Sequence, residues 1–136
     1  MKHKMAWALG AAAAAGLSLA VRSRRKAESV KIAPEKVKAM LNSGKSMQLV
    51  DVREEPEFAE GHIPGAKLLP LGKIQEKALE EFPDKEALLL LYCRSGRRSA
   101  QAAQILTSMG YTHVYDVGGI LHWPYELEKG LNGAQA

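Results

Sequence analysis

The sequence predicts an α/β fold in which a central parallel sheet is covered by helices on both faces. Short apolar runs alternate along the chain with segments whose apolar residues recur at helical spacing, which is typical of such folds. The clearest run extends from Ala87 to Tyr92, and its short, bounded form predicts a buried strand of a parallel sheet. The length of 136 residues is sufficient for one domain of this three-layer kind.

The elements before this strand follow in order. A linker or first strand at 27–32 precedes a helix at 34–41, which opens with Pro34 in its first turn. We expect a strand at 47–52, then a short polar helix or turn at 54–60 that directs Phe58 inward. A tight loop with glycine and proline at 61–66 leads to a short strand at 68–71. An amphipathic helix at 74–82 carries Ile74, Ala78, Leu79 and Phe82 on one side.

The elements after the central strand include the loop at 94–98. Ser99 is a favourable N-cap residue and Gly110 a natural stop, so we expect a helix between them. A last strand at 113–117 and a flexible Gly118-Gly119 turn follow. A closing helix at 120–129 and a flexible tail at 131–136 complete the prediction.

Cys93, the single cysteine, lies on a loop between the end of a strand and the start of a helix. A helix N-terminus offers free backbone N–H groups and the positive end of a dipole. Together with three nearby arginines, these favour the thiolate, which is the nucleophilic form, and would hold an anion. With no second thiol in the chain, any sulfur chemistry must finish on an external acceptor. The alternative is an inert, buried cysteine.

Asp51 lies at the end of the strand predicted at 47–52, and Gly118 follows the strand predicted at 113–117, so we expect both at the same sheet edge as Cys93. Asp51 and Arg53 are predicted to support the site by pairing with each other or with loop backbone. His62 is predicted to hold the 61–66 loop by a side-chain hydrogen bond. Histidines elsewhere lack partners at metal spacing, so we expect no metal and no cofactor.

The N-terminal segment 1–26 differs in composition from the rest of the chain. It holds six of the 19 basic residues and none of the 15 acidic ones, which leaves 27–136 mildly acidic. The high isoelectric point is therefore no indication of nucleic-acid binding. Residues 5–21 are uncharged and apolar, and a basic cluster at 22–26 follows. We expect a membrane anchor with the domain facing the cytoplasm; a cleaved signal peptide that exports the domain is the alternative.

Three stretches together resemble the single-domain rhodaneses, the thiosulfate-type sulfurtransferases: LVDVREEPEFAEGHIPGA, YCRSGRRS and DVGGILHW. The first contains the family pattern without exception: Phe58, three residues, His62-Ile63-Pro64-Gly65-Ala66, two residues and Leu69. The resemblance covers about residues 30–130. It implies a rhodanese-like domain at 27–130.

The resemblance implies a persulfide mechanism at Cys93. The thiolate would take the outer sulfur of thiosulfate or another sulfane donor, and a thiol or cyanide would then remove it. Backbone N–H groups of the loop would cradle the persulfide, and Arg94 with Arg97 or Arg98 would hold the anionic donor. The implied substrate loop is Arg94, Ser95, Gly96, Arg97, Arg98 and Ser99.

Three alternatives to a freely turning-over enzyme are considered. The chain could be a persulfide carrier or sensing module that delivers sulfur to a protein acceptor, with little small-molecule turnover. It could be an inactive interaction domain, although its intact cysteine loop argues against this. Related cysteine phosphatases and arsenate reductases carry arginine six positions after the cysteine, where this chain has Ser99, so that chemistry is disfavoured.

Overall fold

The computed structural model describes residues 29–132 and residue 134. A five-stranded parallel sheet forms its centre, with the strand order β1-β5-β4-β2-β3. The strands are β1 (Val30–Lys31), β2 (Gln48–Asp51), β3 (Lys67–Leu68), β4 (Leu88–Cys93) and β5 (His113–Gly119). The predicted parallel sheet is thus confirmed, and β4 is its middle strand.

Helices cover both faces of the sheet, as predicted. They are α1 (Pro34–Asn42), α2 (Glu55–Glu60), α3 (Ile74–Glu81) and α4 (Arg97–Ser108). Alternate residues of β4 point to opposite faces, as the pleat requires. Leu89, Leu91 and Cys93 join one core cluster with residues of α3 and α4, whereas Leu90 and Tyr92 join a second with residues of α1 and α2.

The helix that follows Cys93 begins earlier than the sequence predicts. Gly96, not Ser99, is the N-cap residue, and α4 starts at Arg97. Gly96 has φ +107°, a conformation that glycine adopts without the strain of a side chain. The earlier start turns Ser99 inward, where it is fully buried. Its hydroxyl is thereby placed beside the cysteine instead of capping the helix.

The closing helix predicted at 120–129 is wrong. Within the described residues after β5, the helical structure is a single 3₁₀ turn, Ile120–His122. Trp123, with φ −83° and ψ 111°, is extended, as expected for a residue that precedes proline, here Pro124. Trp123 is nevertheless buried, whereas Leu127 is 48% exposed.

Three smaller expectations are also corrected. The strand expected at 68–71 ends at Leu68, because Pro70 interrupts it before a 3₁₀ turn at Leu71–Lys73. Leu79, expected on the buried side of α3, is 54% exposed. Gly118 and Gly119 belong to β5 and pair with β4 instead of forming a flexible turn.

The anchor or signal segment predicted at 1–26 lies outside the described residues. Within 29–132 and 134, no helix is both long enough and apolar enough to span a bilayer. The flexible tail expected at 131–136 is described only in part, and there the Ala134 backbone N–H donates to the Leu131 carbonyl at 3.0 Å.

Candidate active site

Cys93 is the last residue of the middle strand, so its side chain lies at the carboxyl edge of the sheet. Ligands bind at this edge in parallel α/β sheets. The residue is only 1% exposed, and its Sγ lies beneath the loop that leads into α4. The Gly96 backbone N–H donates a hydrogen bond to Sγ at 3.0 Å. The sulfur therefore receives a main-chain donor at the positive end of the helix.

The cysteine loop packs directly against the end of β5. Cys93 pairs in register with Gly119, and the Leu121 N–H donates to the Arg94 carbonyl at 3.2 Å. A Cβ at Gly119 would lie 2.7 Å from Ser95 Cα and still closer to the Arg94 carbonyl oxygen. Gly119 has an ordinary φ of −105°, so glycine is required here for space and not for backbone freedom. This close approach positions the loop over the sulfur.

A buried pair, Ser99 and Asp116, lies beside the sulfur. Ser99 Oγ is 3.6 Å from Cys93 Sγ and donates to Asp116 Oδ1 at 2.7 Å. The same Oδ1 accepts the Gly118 N–H at 2.9 Å. Asp116 is 3% exposed. The pairing of β4 with β5 is irregular after Asp116: Leu91 pairs with Asp116, but Tyr92 pairs with Gly118. Val117 is therefore the extra residue of a bulge in β5. The site thus includes a carboxylate two hydrogen bonds from the thiol.

The arginines of the loop differ in their surroundings. Arg94 and Arg97 are exposed, and neither has an ion pair with any described residue. Arg98 instead forms a two-pronged pair with Glu57, with N–O distances of 2.7 and 2.9 Å. This pairing raises the pKa of Arg98 and lowers that of Glu57 to about 2. Two exposed guanidinium groups, those of Arg94 and Arg97, therefore lie at the loop surface.

Asp51 and Arg53 form a buried pair at the end of β2. Arg53 Nε donates to Asp51 Oδ1 at 3.0 Å, and Nη2 donates to Oδ2 at 2.7 Å. The same Nη2 donates to the Gly61 carbonyl at 2.7 Å. Burial lowers the pKa of Arg53, but the hydrogen bonds and charge of Asp51 outweigh it, so the net pKa is raised. The pair connects β2 to the end of α2 and not to the sulfur itself.

His62 is fully buried and lies against α2. Its Nδ1 donates to the Phe58 carbonyl at 2.9 Å, and its ring stacks on that of Phe58 with centroids 3.7 Å apart. Its backbone exchanges two hydrogen bonds with Glu128. The next residue, Ile63, donates its N–H to the Tyr92 hydroxyl at 3.1 Å. Burial raises the pKa of Tyr92, which keeps this hydroxyl neutral. These contacts support the neighbouring strand β4.

A cleft of about 460 Å³ borders the loop on the β1 side. It is lined by Ser95 and Gly96 of the loop, by the segment 116–119, by Lys31 at the end of β1 and by His122. The cleft provides a route from solvent to the edge of the loop. Within 29–132 and 134, no cluster of histidine, cysteine and carboxylate side chains could hold a metal ion.

Two site residues, Asp116 and Glu57, were not identified from the sequence. Asp116 interrupts an otherwise apolar strand pattern, His113-Val114-Tyr115-Asp116-Val117, and a carboxylate in a buried strand is a usable signal of a specific polar partner. Glu57 lies in the polar helix or turn predicted at 54–60. Nothing local distinguishes it from its acidic neighbours, because its partner is 41 residues away along the chain.

Comparisons with known proteins agree with this geometry. Residues 33–125 match the family described as Rhodanese-like domain. The chain is 41% identical over 71 residues to thiosulfate sulfurtransferase PspE of Escherichia coli (strain K12). The aligned region covers 52% of this chain and 68% of that protein. It is 39% identical over 90 residues to a sulfurtransferase of Allochromatium vinosum, which covers 65% of this chain and 82% of the relative.

A solved structure is also similar to this chain. The structure described as "rhodanese with anions from E. coli" superposes with a TM-score of 0.59 and 36% identity. The matched region covers 62% of this chain and all of that chain.

Proposed function

This chain belongs to the rhodanese-like domain family, and on that basis we propose that it is a sulfurtransferase acting through a persulfide on Cys93. The donor is thiosulfate or a thiol persulfide, and the acceptor is a thiol or cyanide. The observation that carries the proposal is the position of Cys93 Sγ. It lies under the loop at the carboxyl edge of the sheet, with the Gly96 backbone N 3.0 Å away, and two exposed arginines, Arg94 and Arg97, follow it within four residues.

The first half-reaction is a displacement at sulfur. The Cys93 thiolate forms a bond to the outer sulfur of thiosulfate, the sulfur–sulfur bond of the donor breaks, and sulfite leaves with the electron pair. Cys93 then carries a persulfide, and the negative charge on its terminal sulfur faces the loop backbone. In the second half-reaction the acceptor attacks that terminal sulfur and regenerates the thiolate.

The loop arginines bind the donor in this scheme. Thiosulfate and sulfite are dianions, and Arg94 and Arg97 are the exposed cations closest in sequence to the nucleophile. Arg98 contributes less because Glu57 already occupies both prongs of its guanidinium. Two cations that form no ion pair with the described residues match the charge of one dianionic donor.

The test uses the full chain in a mild detergent. After incubation with thiosulfate, intact-mass measurement should show the gain of one sulfur atom, and cyanide should remove that sulfur as thiocyanate. Cys93→Ser should show neither, with an unchanged circular dichroism spectrum. If Cys93→Ser retains near-normal thiocyanate formation, the persulfide mechanism is wrong. The matched control, Ser108→Ala at the far end of α4, should behave as the wild type.

A second candidate is a persulfide carrier that delivers sulfur to a protein acceptor. The observation that favours it is the 1% exposure of Cys93, since a covered persulfide is protected from small thiols. Slow thiocyanate formation together with a persulfide that persists for hours favours the carrier. Rapid turnover favours the enzyme, and failure to load sulfur from either donor favours an inactive interaction domain.

We also propose that residues 5–21 anchor the domain to a membrane with the domain in the cytoplasm. The sequence supports this by its uncharged apolar run and by the basic residues that follow, because positive charges favour the cytoplasmic side. A reporter fused after Ala136 should be active only if it functions in the cytoplasm. Activity of a reporter that requires export would instead support a cleaved signal peptide.

A further inference from the structure

The geometry points to Asp116 as a positioning residue that opposes ionisation of the Cys93 thiol, acting through the hydroxyl of Ser99. This inference deepens the proposed function and rests on it for its biological meaning. Neither residue needs to touch the donor. The pair would instead set the pH at which the sulfur becomes a nucleophile, and so protect the resting thiol from adventitious alkylation and oxidation.

The Ser99 hydroxyl has a single hydrogen, so which of its neighbours accepts that hydrogen determines what the hydroxyl offers to the sulfur. Four acceptors lie near Oγ: Asp116 Oδ1 at 2.7 Å, the Gly96 carbonyl at 3.1 Å, the Gly118 carbonyl at 3.4 Å and Cys93 Sγ at 3.6 Å. The carboxylate is the closest of the four and, while Cys93 is a neutral thiol, the only charged one, so it holds the hydrogen. Ser99 then presents a lone pair to the sulfur, which suits a neutral S–H donor and disfavours a thiolate.

Asp116 is itself fixed in this orientation. Its Oδ1 accepts from both Ser99 Oγ and the Gly118 N–H, and the residue is 3% exposed. Its negative charge is therefore screened poorly by water. A like charge near the sulfur disfavours the thiolate directly, in the same sense as the orientation of the hydroxyl. The charge of Asp116 and the orientation of the Ser99 hydroxyl therefore both disfavour the thiolate.

Other charged groups around Cys93 act in the opposite direction or are already paired. Arg98 of α4 interacts electrostatically with the sulfur, and the Gly96 N–H favours the thiolate. From β2, Asp51 is paired with Arg53, and from α2, Glu57 is paired with Arg98. From helix α3, the apolar side chains of Ile74 and Ala78 belong to the same core cluster as Cys93. Arg94 and Arg97 complete the charged groups of the loop.

The experiment measures the rate of Cys93 alkylation by iodoacetamide against pH, by intact mass, on the full chain in mild detergent. Alkylation requires no sulfur donor, so its pH midpoint is readable even if the chain transfers no sulfur. Asp116→Asn keeps an oxygen in place for Ser99 and Gly118 and removes the charge. We expect it to lower the pH midpoint by about 0.5 to 1 unit. Ser99→Ala, which removes the acceptor of the thiol hydrogen, should also lower the midpoint.

The two substitutions should be less than additive when combined, because the orientation of the hydroxyl is common to both. Asp84→Asn, an exposed change before the start of β4, is the matched control for loss of one negative charge and should leave the midpoint unchanged. An unmoved or raised midpoint in folded Asp116→Asn overturns the proposal. A raised midpoint in Ser99→Ala also overturns it, since the hydroxyl would then be a donor to the thiolate.

Discussion

The carboxylate of Glu57 and the guanidinium of Arg98 meet through two parallel hydrogen bonds, at 2.7 and 2.9 Å, across 41 residues of sequence. The pair joins α2 to the first turn of α4. It therefore fixes one end of the cysteine loop from outside the loop. Of the three loop arginines, Arg98 is thus already paired, whereas Arg94 and Arg97 form no ion pair with any described residue.

Glu57→Gln should destabilise the domain only where Glu57 is ionised. Its pKa in the folded chain is about 2, below the ordinary 4.5, so the pair stabilises the fold fully above pH 4.5. That contribution is lost as the pH falls toward 2. Because both side chains are about 30% exposed, we expect a loss of about 1 kcal/mol at pH 7. Glutamine keeps the Oε1 that accepts the Glu54 N–H.

Urea unfolding at several pH values checks this expectation. The gap in unfolding free energy between wild type and Glu57→Gln should narrow steadily below pH 4.5. A gap that is constant from pH 7 to pH 3 would mean that the pair contributes no charge-dependent stability.

Arg94→Ala should weaken donor binding more than it slows the chemical step. Loss of one exposed guanidinium from a dianion site corresponds to about 1 kcal/mol, or about a fivefold rise in KM for thiosulfate, with kcat little changed. Arg98→Ala is the comparison, and its smaller effect on KM is expected because Glu57 already binds that side chain. Steady-state kinetics at two salt concentrations measure both. If Arg94→Ala and Arg98→Ala raise KM equally, the Arg98 side chain must break its pair with Glu57 in order to bind the donor.

Gly119→Ala should disturb the cysteine loop without backbone strain at residue 119 itself. The added methyl group meets the backbone of Arg94 and Ser95, which cannot yield without moving the loop. We expect destabilisation of about 1 to 3 kcal/mol and a loss of sulfur transfer of about 100-fold. Gly72→Ala is the control, since nothing lies within 4 Å of its added Cβ. Normal transfer by Gly119→Ala would mean that the loop tolerates displacement.

Arg53→Lys should destabilise the fold by about 2 kcal/mol, because lysine cannot reproduce the two-pronged contact with Asp51 and the bond to the Gly61 carbonyl. Chemical denaturation at neutral pH provides the measurement. Lys67→Gln, which breaks the partly exposed pair of Lys67 with Glu81, should cost no more than about 1 kcal/mol. A smaller effect of Arg53→Lys than of Lys67→Gln would contradict a structural role for the buried pair.

The strands and helices that carry the site were largely predictable from local pattern. The apolar run before Cys93 predicted β4, and Pro34 marked the start of α1, because strand burial and helix starts depend on neighbouring residues. The same local reasoning misplaced the start of α4. Ser99 is a favourable N-cap residue by local pattern, but its hydroxyl donates to the buried carboxylate of Asp116, 17 residues away. Gly96 is the N-cap residue instead.

By itself, the sequence determined the fold class, the family and the position of the single cysteine at the end of a buried strand, since these depend on periodicity and on motifs contiguous in the chain. Tertiary structure alone decided which arginine is engaged by Glu57, which carboxylate faces the Ser99 hydroxyl and why Gly119 must lack a side chain. Each of these depends on contacts between residues far apart in sequence. Such contacts exist only once β4 lies beside β5 and the loop between β4 and α4 closes over the sheet edge.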